Sequence, residues 1–298
     1  MSENKQVDPF LEDDFLEKLD HLLLLAKKKA KGAILGEHHS IHVGGSQDFL
    51  DYRTYQPGDD LRYVDWNVYG RLGRLFIKLF KAEKEQSVYI LLDMSSSMDT
   101  GTPLKTLYAK KIAAALSYIC LANMDRVMVS SFNDRMYFSK TPERGRQVYF
   151  LILEFLRNVQ ADGQTNLDAA LVEFASSARK NGIVVILSDL LDERGFEKGI
   201  KALHYQNLDI NLIQILDSKE LSPSIQGFLQ LEDLEFGTKK DMTVDQTLRD
   251  LYRDKLDAYL RDIQEFCHVI GAEYYLAETG TPFDTFLIDY LIEGSLIQ

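Results

Sequence analysis

Cysteine is scarce in this sequence, with Cys120 and Cys267 as the only two among 298 residues. Both lie within apolar patterns of helical period, and a free cysteine in such a position usually behaves as a small buried hydrophobe. Unpaired thiols are typical of compartments that keep cysteine reduced. The sequence therefore predicts two buried free thiols and a protein of a reducing compartment.

Long hydrophobic runs are missing as well. The longest run of leucines, residues 22–25, is flanked closely by charges and is far too short to span a bilayer. The N-terminus is acidic and lacks the basic segment that opens a secretory signal peptide. A hydrophobic content of 45% and a charged content of 27% are those of a soluble globular protein. We therefore expect a cytoplasmic protein without stable membrane insertion.

Positive charge is also in short supply. The 34 lysines and arginines are outnumbered by 46 aspartates and glutamates, which gives a net charge of −12. A chain with this balance has no general attraction to nucleic acid or to anionic membranes, so no nucleic-acid partner is expected. Residues 53–84 are the exception, because they are locally basic within an acidic protein.

The common signatures of hydrolases and nucleotide-binding enzymes are missing too. The sequence contains no Gly-x-Ser-x-Gly elbow and no Gly-x-x-x-x-Gly-Lys-Ser/Thr phosphate loop. Asp93 is not followed two positions later by a second acid, so an aspartyl-phosphate mechanism has little support. Ser95 and Ser97 have no evident histidine base in the predicted α/β part. We therefore expect a protein that is not an enzyme.

The chain divides by composition and hydrophobic pattern into three parts. Residues 1–35 contain an amphipathic segment, residues 9–31, that predicts a helical arm packed on the body. Residues 36–85 mix aromatic, basic and acidic side chains, which predicts a small β-rich or irregular subdomain held by internal salt bridges and by Trp66. Residues 86–298 alternate strand and helix patterns and close with a hairpin, a long helix, a strand and a helix. That alternation is typical of an α/β domain.

The most informative stretch is residues 88–100. Five apolar residues run directly into Asp93, as in a strand that is buried on both faces. Ser95 and Ser97 then follow at alternate positions. Carboxylate and hydroxyl oxygens are ligands that suit Mg²⁺, which usually keeps some water-filled positions. The stretch therefore predicts part of a metal site at the end of a strand.

Two more residues have suitable chemistry and placement. Thr165 precedes a predicted helix, and Asp189 ends a second buried strand. In open α/β sheets, ligands bind beyond the carboxyl ends of the strands, where the strand order reverses. Any one of these residues could instead cap a helix. The combination favours a metal site formed by five residues: Asp93, Ser95, Ser97, Thr165 and Asp189.

The order Asp-x-Ser-x-Ser, then a loop threonine, then a strand-end aspartate resembles the metal-ion-dependent adhesion site of von Willebrand factor type A domains. The resemblance implies a doubly wound, mostly parallel sheet flanked by helices. It also implies that Ser95, Ser97 and Thr165 bind Mg²⁺ directly, while Asp93 and Asp189 act largely through bound water. One coordination position would remain for an acidic residue of a partner.

A second resemblance covers more of the chain. Residues 53–66 are similar to a signature of the bacterial domain-of-unknown-function 58 family, and the residues that match it are Arg53, Tyr55, Gly58, Asp59, Asp60, Arg62, Asp65 and Trp66. Members of this family are often encoded beside MoxR-type AAA+ ATPases and are thought to act as their adaptors or co-chaperones. Many relatives have lost part of the metal motif, whereas this sequence keeps all five positions.

Three functions remain open at this point. The first is a metal-dependent binding module that takes a carboxylate from a MoxR-type ATPase or from its client, with Mg²⁺ as the expected ion and Mn²⁺ or Ca²⁺ as alternatives. The second is a metal-dependent phosphoester hydrolase, which would require a base or a second metal near Asp93. The third is a structural subunit with a vestigial metal site.

Overall fold

The computed structural model describes residues 14–33, 49–80, 86–137, 141–179, 181–223, 227–232 and 239–293. The chain forms two compact units. One comprises Met1–Ala30 and Gln86–Gln298, and the other comprises Lys31–Glu85.

The first helix, α1 (Phe15–Ala33), contributes to the core of the larger unit. Its buried residues Phe15, Leu19, Leu22 and Ala26 recur at intervals of three and four, so they share one face of the helix. The ring of Phe15 lies 5.5 Å from the ring of Phe283, near the other end of the chain. The predicted arm thus includes a helix that packs on the α/β unit, while residues 9–13 of the predicted helix lie outside the described residues.

The smaller unit contains two strands, β1 (Phe49–Thr54) and β2 (Phe76–Phe80), with the short helix α2 (Trp66–Leu72) between them. The strands pair antiparallel. The expected internal salt bridges are present: Arg53 with Asp59 at 2.8 Å, Arg62 with Asp60 at 2.6 Å, and Lys78 with Asp65 at 3.1 Å. These bridges join residues within the unit.

The prediction that Trp66 helps to hold this unit together is wrong. Trp66 is 60% exposed, while Val64 and Ile77 are buried. The reason is the cap of α2: Asp65 accepts hydrogen bonds from the backbone amides of Asn67 and Val68 and from the hydroxyl of Tyr52. Asp65 is therefore the buried residue of the pair, and Trp66 starts the helix on the exposed side.

The larger unit alternates strands and helices along the chain. Its remaining elements are β3 (Ser87–Asp93), α3 (Lys105–Ala122), β4 (Arg126–Phe132), β5 (Met136–Tyr137), α4 (Arg146–Asn158), α5 (Leu167–Ser177), β6 (Ile183–Ser188), α6 (Glu197–Tyr205), β7 (Asp209–Leu216), α7 (Ser218–Leu221), β8 (Gly227–Glu232), β9 (Lys239–Val244), α8 (Gln246–Ile270), β10 (Glu273–Glu278) and α9 (Phe283–Glu293).

Six strands form the central sheet in the order β10-β7-β6-β3-β4-β5. All neighbouring pairs are parallel except β4 with β5. Within this sheet the chain forms β3 first and then adds β4 and β5 on one side of it. It next crosses to the other side of β3, where it forms β6. The sheet is thus doubly wound, and its order reverses between β3 and β6. This confirms the von Willebrand factor A-like fold class inferred from the sequence.

Helices cover both faces of the sheet. Val88, Ile90 and Leu92 of β3 pack in one core cluster with residues of α1, α3, α4 and α9. Tyr89 and Leu91 face the other way, into a second cluster with residues of α5, α6 and α8. Side chains of a strand alternate between faces, so the continuous apolar run of β3 supplies both cores.

The end of the chain follows the predicted order of a hairpin, a long helix, a strand and a closing helix. Strands β8 and β9 pair antiparallel, and the expected tip of this hairpin, residues 233–238, lies outside the described residues. Within the part of the chain that the structure describes, no helix is long and apolar enough to cross a membrane.

Candidate metal centre

Asp93 ends β3 at the point where the strand order reverses, and it is completely buried. Its Oδ1 atom accepts hydrogen bonds from the backbone amide of Ser95 at 3.0 Å and from the Ser95 hydroxyl at 2.7 Å. The chain then turns through a short 3₁₀ segment, Ser96–Met98, which places the hydroxyl of Ser97 3.0 Å from that of Ser95. The Asp-x-Ser-x-Ser motif therefore folds back on its own first carboxylate.

The loop before α5 brings Thr165 to the same place. Two backbone hydrogen bonds fix this loop against the turn after β3: the amide of Ser96 donates to the carbonyl of Gly163, and the amide of Asp162 donates to the carbonyl of Met94. The hydroxyl of Thr165 consequently lies 3.2 Å from Oδ1 of Asp93, and Thr165 is buried. The hydroxyls of Ser95 and Thr165 thus contact the carboxylate of Asp93, and the hydroxyl of Ser97 contacts that of Ser95.

The end of β6 supplies the remaining groups. The register that pairs Leu92 with Leu187 carries Ser188 beside Asp93. The Ser188 hydroxyl donates to Oδ2 of Asp93 at 2.6 Å and accepts from the amide of Leu190 at 3.0 Å. Ser188 was not among the sequence-predicted site residues, although it directly precedes the predicted Asp189. Its type and its strand-end position were the available signals.

Asp189 lies at the same strand end, but its carboxylate is bound mainly to other groups. Its Oδ1 atom accepts from the backbone amide of Leu191 at 3.1 Å. Its Oδ2 atom accepts from the ammonium group of Lys105 at 2.9 Å, and both side chains are almost completely buried. Lys105 also donates to Glu220 at 2.7 Å.

Lys105 is a second residue that the sequence analysis missed. It is the first residue of α3, where the positive end of the helix dipole disfavours a cation. A lysine at such a position indicates a compensating anion, and this was the signal that could have revealed it. Its attraction to Asp189 and Glu220 outweighs the opposing effect of burial, and the pKa of Lys105 is raised.

The buried carboxylate of Asp93 has a raised pKa. Burial, together with the nearby charge of Asp189, raises the pKa of Asp93 to about 6, even though Ser188 and Ser95 donate hydrogen bonds to it. Hydrogen bonds alone therefore do not offset the cost of the buried negative charge. An added cation at this place would stabilise the ionised form of Asp93.

The donor set suits a hard divalent cation. It offers the hydroxyls of Ser95, Ser97 and Thr165. The carboxylate of Asp93 contacts two of these hydroxyls, and the carboxylate of Asp189 lies nearby. Carboxylate, hydroxyl and water oxygens are the ligands of Mg²⁺ and Ca²⁺, whereas zinc sites use histidine and cysteine. Among the described residues, no group of three or more histidine, cysteine, aspartate or glutamate side chains is arranged to hold a metal ion. A site here would therefore depend on its hydroxyls.

These features define a doubly wound α/β domain with polar side chains grouped at its switch point. Residues 51–259, more than half of the chain, match the family described as "Protein of unknown function DUF58". The chain belongs to this family. The match covers residues 51–85 of the smaller unit and residues 86–259 of the larger one.

Two mycobacterial proteins are similar over most of their length. An uncharacterized protein of Mycobacterium tuberculosis (strain H37Rv) is 26% identical over 256 residues, which cover 84% of this chain and 80% of the relative. An uncharacterized protein of Mycobacterium bovis matches with the same identity and coverage.

Three solved structures are similar to parts of the chain. An aerotolerance-related membrane protein from Bacteroides fragilis has a TM-score of 0.45 at 16% identity and covers 70% of this chain and 99% of its own. The conserved hypothetical protein BatB from Bacteroides thetaiotaomicron has a TM-score of 0.44 at 12% identity, with coverage of 70% and 100%. The SpRpn10 VWA domain has a TM-score of 0.42 at 12% identity, with coverage of 72% and 97%.

Proposed function

We propose that this chain is a non-enzymatic protein-binding module that holds Mg²⁺ between β3 and β6 and binds an acidic side chain of a partner. The observation that carries the proposal is the convergence of three hydroxyls and the buried Asp93 at the switch point of the sheet. Ser95, Ser97 and Thr165 would contact the ion, and Asp93 and Asp189 would act mainly through water. The ion would supply a coordination position for a partner's carboxylate oxygen, with Mn²⁺ or Ca²⁺ as alternatives to Mg²⁺.

A binding role fits the surroundings better than hydrolysis does. The histidines within the described residues, His21, His204 and His268, lie on exposed positions of α1, α6 and α8. None of them is buried beside Ser95 or Ser97 as a general base would be. The lysine near the site donates to Asp189 and Glu220, so its ammonium group is engaged as a hydrogen-bond donor.

The proposed partner is a MoxR-type AAA+ ATPase, its client protein, or both, as the resemblance to the family implies. The charge of the site supports an acidic ligand only when the metal is bound, because Asp93 and Asp189 would otherwise repel a carboxylate. Binding of the ion and binding of the partner should therefore depend on each other.

The test uses the full chain and its Asp93→Asn variant. Calorimetry with Mg²⁺ should show binding to the wild type and a large loss of affinity for the variant, while circular dichroism shows an unchanged fold. Co-precipitation with a purified MoxR-type ATPase of the same organism, with nucleotide and Mg²⁺, should weaken with the variant and with a chelator. The matched control is Asp125→Asn, which makes the same change just before β4, at the opposite end of the sheet. Binding that survives both the Asp93 variant and chelation would refute the metal-dependent function.

A further inference from the structure

Lys105 is the one lysine whose ammonium group the described structure shows buried between two carboxylates. Its side chain is 1% exposed. The ammonium nitrogen lies 2.9 Å from Oδ2 of Asp189 and 2.7 Å from Oε1 of Glu220. These contacts join the start of α3 to the end of β6 and to the short helix α7, which follows β7.

This arrangement is costly by itself. Burying an ammonium group removes its hydration, and a cation on the first turn of a helix opposes the helix dipole. Neither cost is offset by packing alone, since a methionine would fill a similar volume without the charge. The position of Lys105 is therefore explained by the negative charge of Asp189 and Glu220.

Without Lys105, the buried negative charges of the site would have no buried positive charge beside them. Asp93 and Asp189 are both buried, and Lys105 is the buried cation in contact with one of them. Glu220 differs, because its side chain is 27% exposed and is partly hydrated. Removal of Lys105 would leave two buried carboxylates beside each other with no compensating positive charge.

We propose that Lys105 is the resident counter-cation of the site: it neutralises Asp189 when no metal is bound and competes with the metal for that carboxylate. This inference rests on the proposed function for its second half, whereas charge neutralisation of Asp189 stands independently of any metal. Lys105 is a positioning residue, because it acts on the ion through Asp189.

The competition has a consequence for binding. A positive charge that stays near the ion weakens the site's attraction for Mg²⁺ and leaves the loaded site less negative. A partner's carboxylate then meets less repulsion, and its negative charge contributes more to holding the ion. Lys105 would thus favour joint binding of metal and partner over binding of metal alone.

The metal arm of the test measures Mg²⁺ binding to the full chain by calorimetry. Lys105→Met should bind Mg²⁺ about tenfold or more tightly than the wild type, since one positive charge near the ion is gone. Lys110→Met is the matched control: Lys110 lies in the same helix, and its ammonium group donates to the carbonyl of Val159. Its variant should bind Mg²⁺ as the wild type does. Unchanged or weaker binding by Lys105→Met would overturn the competition.

The second arm is carried out in chelator and needs no metal. Lys105→Met should lower the midpoint of thermal unfolding, and adding Asp189→Asn should restore a large part of the loss, because the two charges then disappear together. If Lys105→Met does not fold by itself but the double variant with Asp189→Asn does, that result counts as the same rescue. Lys105→Gln then takes the place of Lys105→Met in the measurement of Mg²⁺ binding. A double variant no more stable than Lys105→Met would overturn the counter-cation role.

The two arms separate the two proposals. If neither the wild type nor the variants bind Mg²⁺ but the rescue is observed, the proposed metal-dependent function fails and Lys105 remains the counter-cation of Asp189. If Mg²⁺ binds to the wild type but neither the rescue nor tighter binding is found, the metal site stands and the role given to Lys105 is wrong.

Discussion

Ser188 donates a hydrogen bond of 2.6 Å to Oδ2 of Asp93, across two neighbouring parallel strands and 95 positions along the chain. Both residues are buried. The contact exists because β6 returns to the side of β3, so that the last residues of both strands meet at the switch point. The strand order thus brings the hydroxyl of Ser188 to the carboxylate at the centre of the candidate site.

Replacing Ser188 with alanine should destabilise the metal-free protein by about 1–3 kcal/mol, because a buried charged acceptor loses a donor. The loss should shrink when Mg²⁺ is added, since the ion would take over the charge of Asp93. Denaturant unfolding in chelator and in Mg²⁺ measures both effects. Ser117→Ala is the control, because Ser117 is also buried but donates to the carbonyl of Ala113 within α3. Equal Mg²⁺ dependence for the two variants would contradict this assignment.

The sequence predicted the α/β architecture because its strongest local signals agreed with the fold. The apolar runs of β3 and β6 are long and free of charges, and a strand buried on both faces requires that pattern. The grouping of these polar side chains was predicted for the same reason, because Asp93 ends β3, Ser95 and Ser97 follow it, and Thr165 lies just before α5. That they hold a metal ion stays a prediction.

The contacts that could not be predicted from the sequence join residues that lie far apart along the chain. Lys105 and Asp189 are 84 positions apart, so no local pattern shows that their charges meet. The short helix α2 was also missed, because its seven residues include Trp66 and Tyr69, which carry little helical preference. Asp65 is buried as the cap of this helix, whereas Trp66, which was expected to hold the unit together, is exposed. Which of two neighbouring residues becomes buried depends here on hydrogen bonds that form only in the folded protein.

Gly199 permits close packing of α6 on α5. A Cβ atom at this position would lie 2.6 Å from Cβ of Leu171, so Gly199→Ala should cost about 1–3 kcal/mol through overpacking. The control is Gly70→Ala in α2, where the added Cβ would have no heavy atom within 4 Å apart from its chain neighbours and the backbone of the same helix. That variant should gain about 0.5–1 kcal/mol from better helix propensity. Denaturant unfolding of both variants checks the contrast, and a neutral Gly199→Ala would contradict the packing described.

Asp125 should make stability depend on pH between about 4 and 6. Burial raises the pKa of Asp125 from its ordinary value of 3.8 to about 6, so between these pH values the folded protein holds a proton that the unfolded chain has released. Its contribution to stability is therefore present at low pH and is lost as the pH rises through about 6. Asp125→Asn should be more stable than the wild type at pH 7.5 by about 1–2 kcal/mol, after allowance for partial exposure. At pH 4 the two should be nearly equal, and a constant difference across this range would refute the assignment.

Trp66 is the only tryptophan of the chain and is 60% exposed, so its fluorescence reports directly on its position in the folded protein. We expect efficient quenching by acrylamide before unfolding, and only a small change in emission wavelength after it. Trp66→Ala should change the free energy of unfolding by less than about 1 kcal/mol, because an exposed side chain loses little packing. The control in the same unit is Ile77→Ala: Ile77 is fully buried, and the substitution should cost about 2–5 kcal/mol. A loss for Trp66→Ala as large as that for Ile77→Ala would show that the indole does hold this unit together.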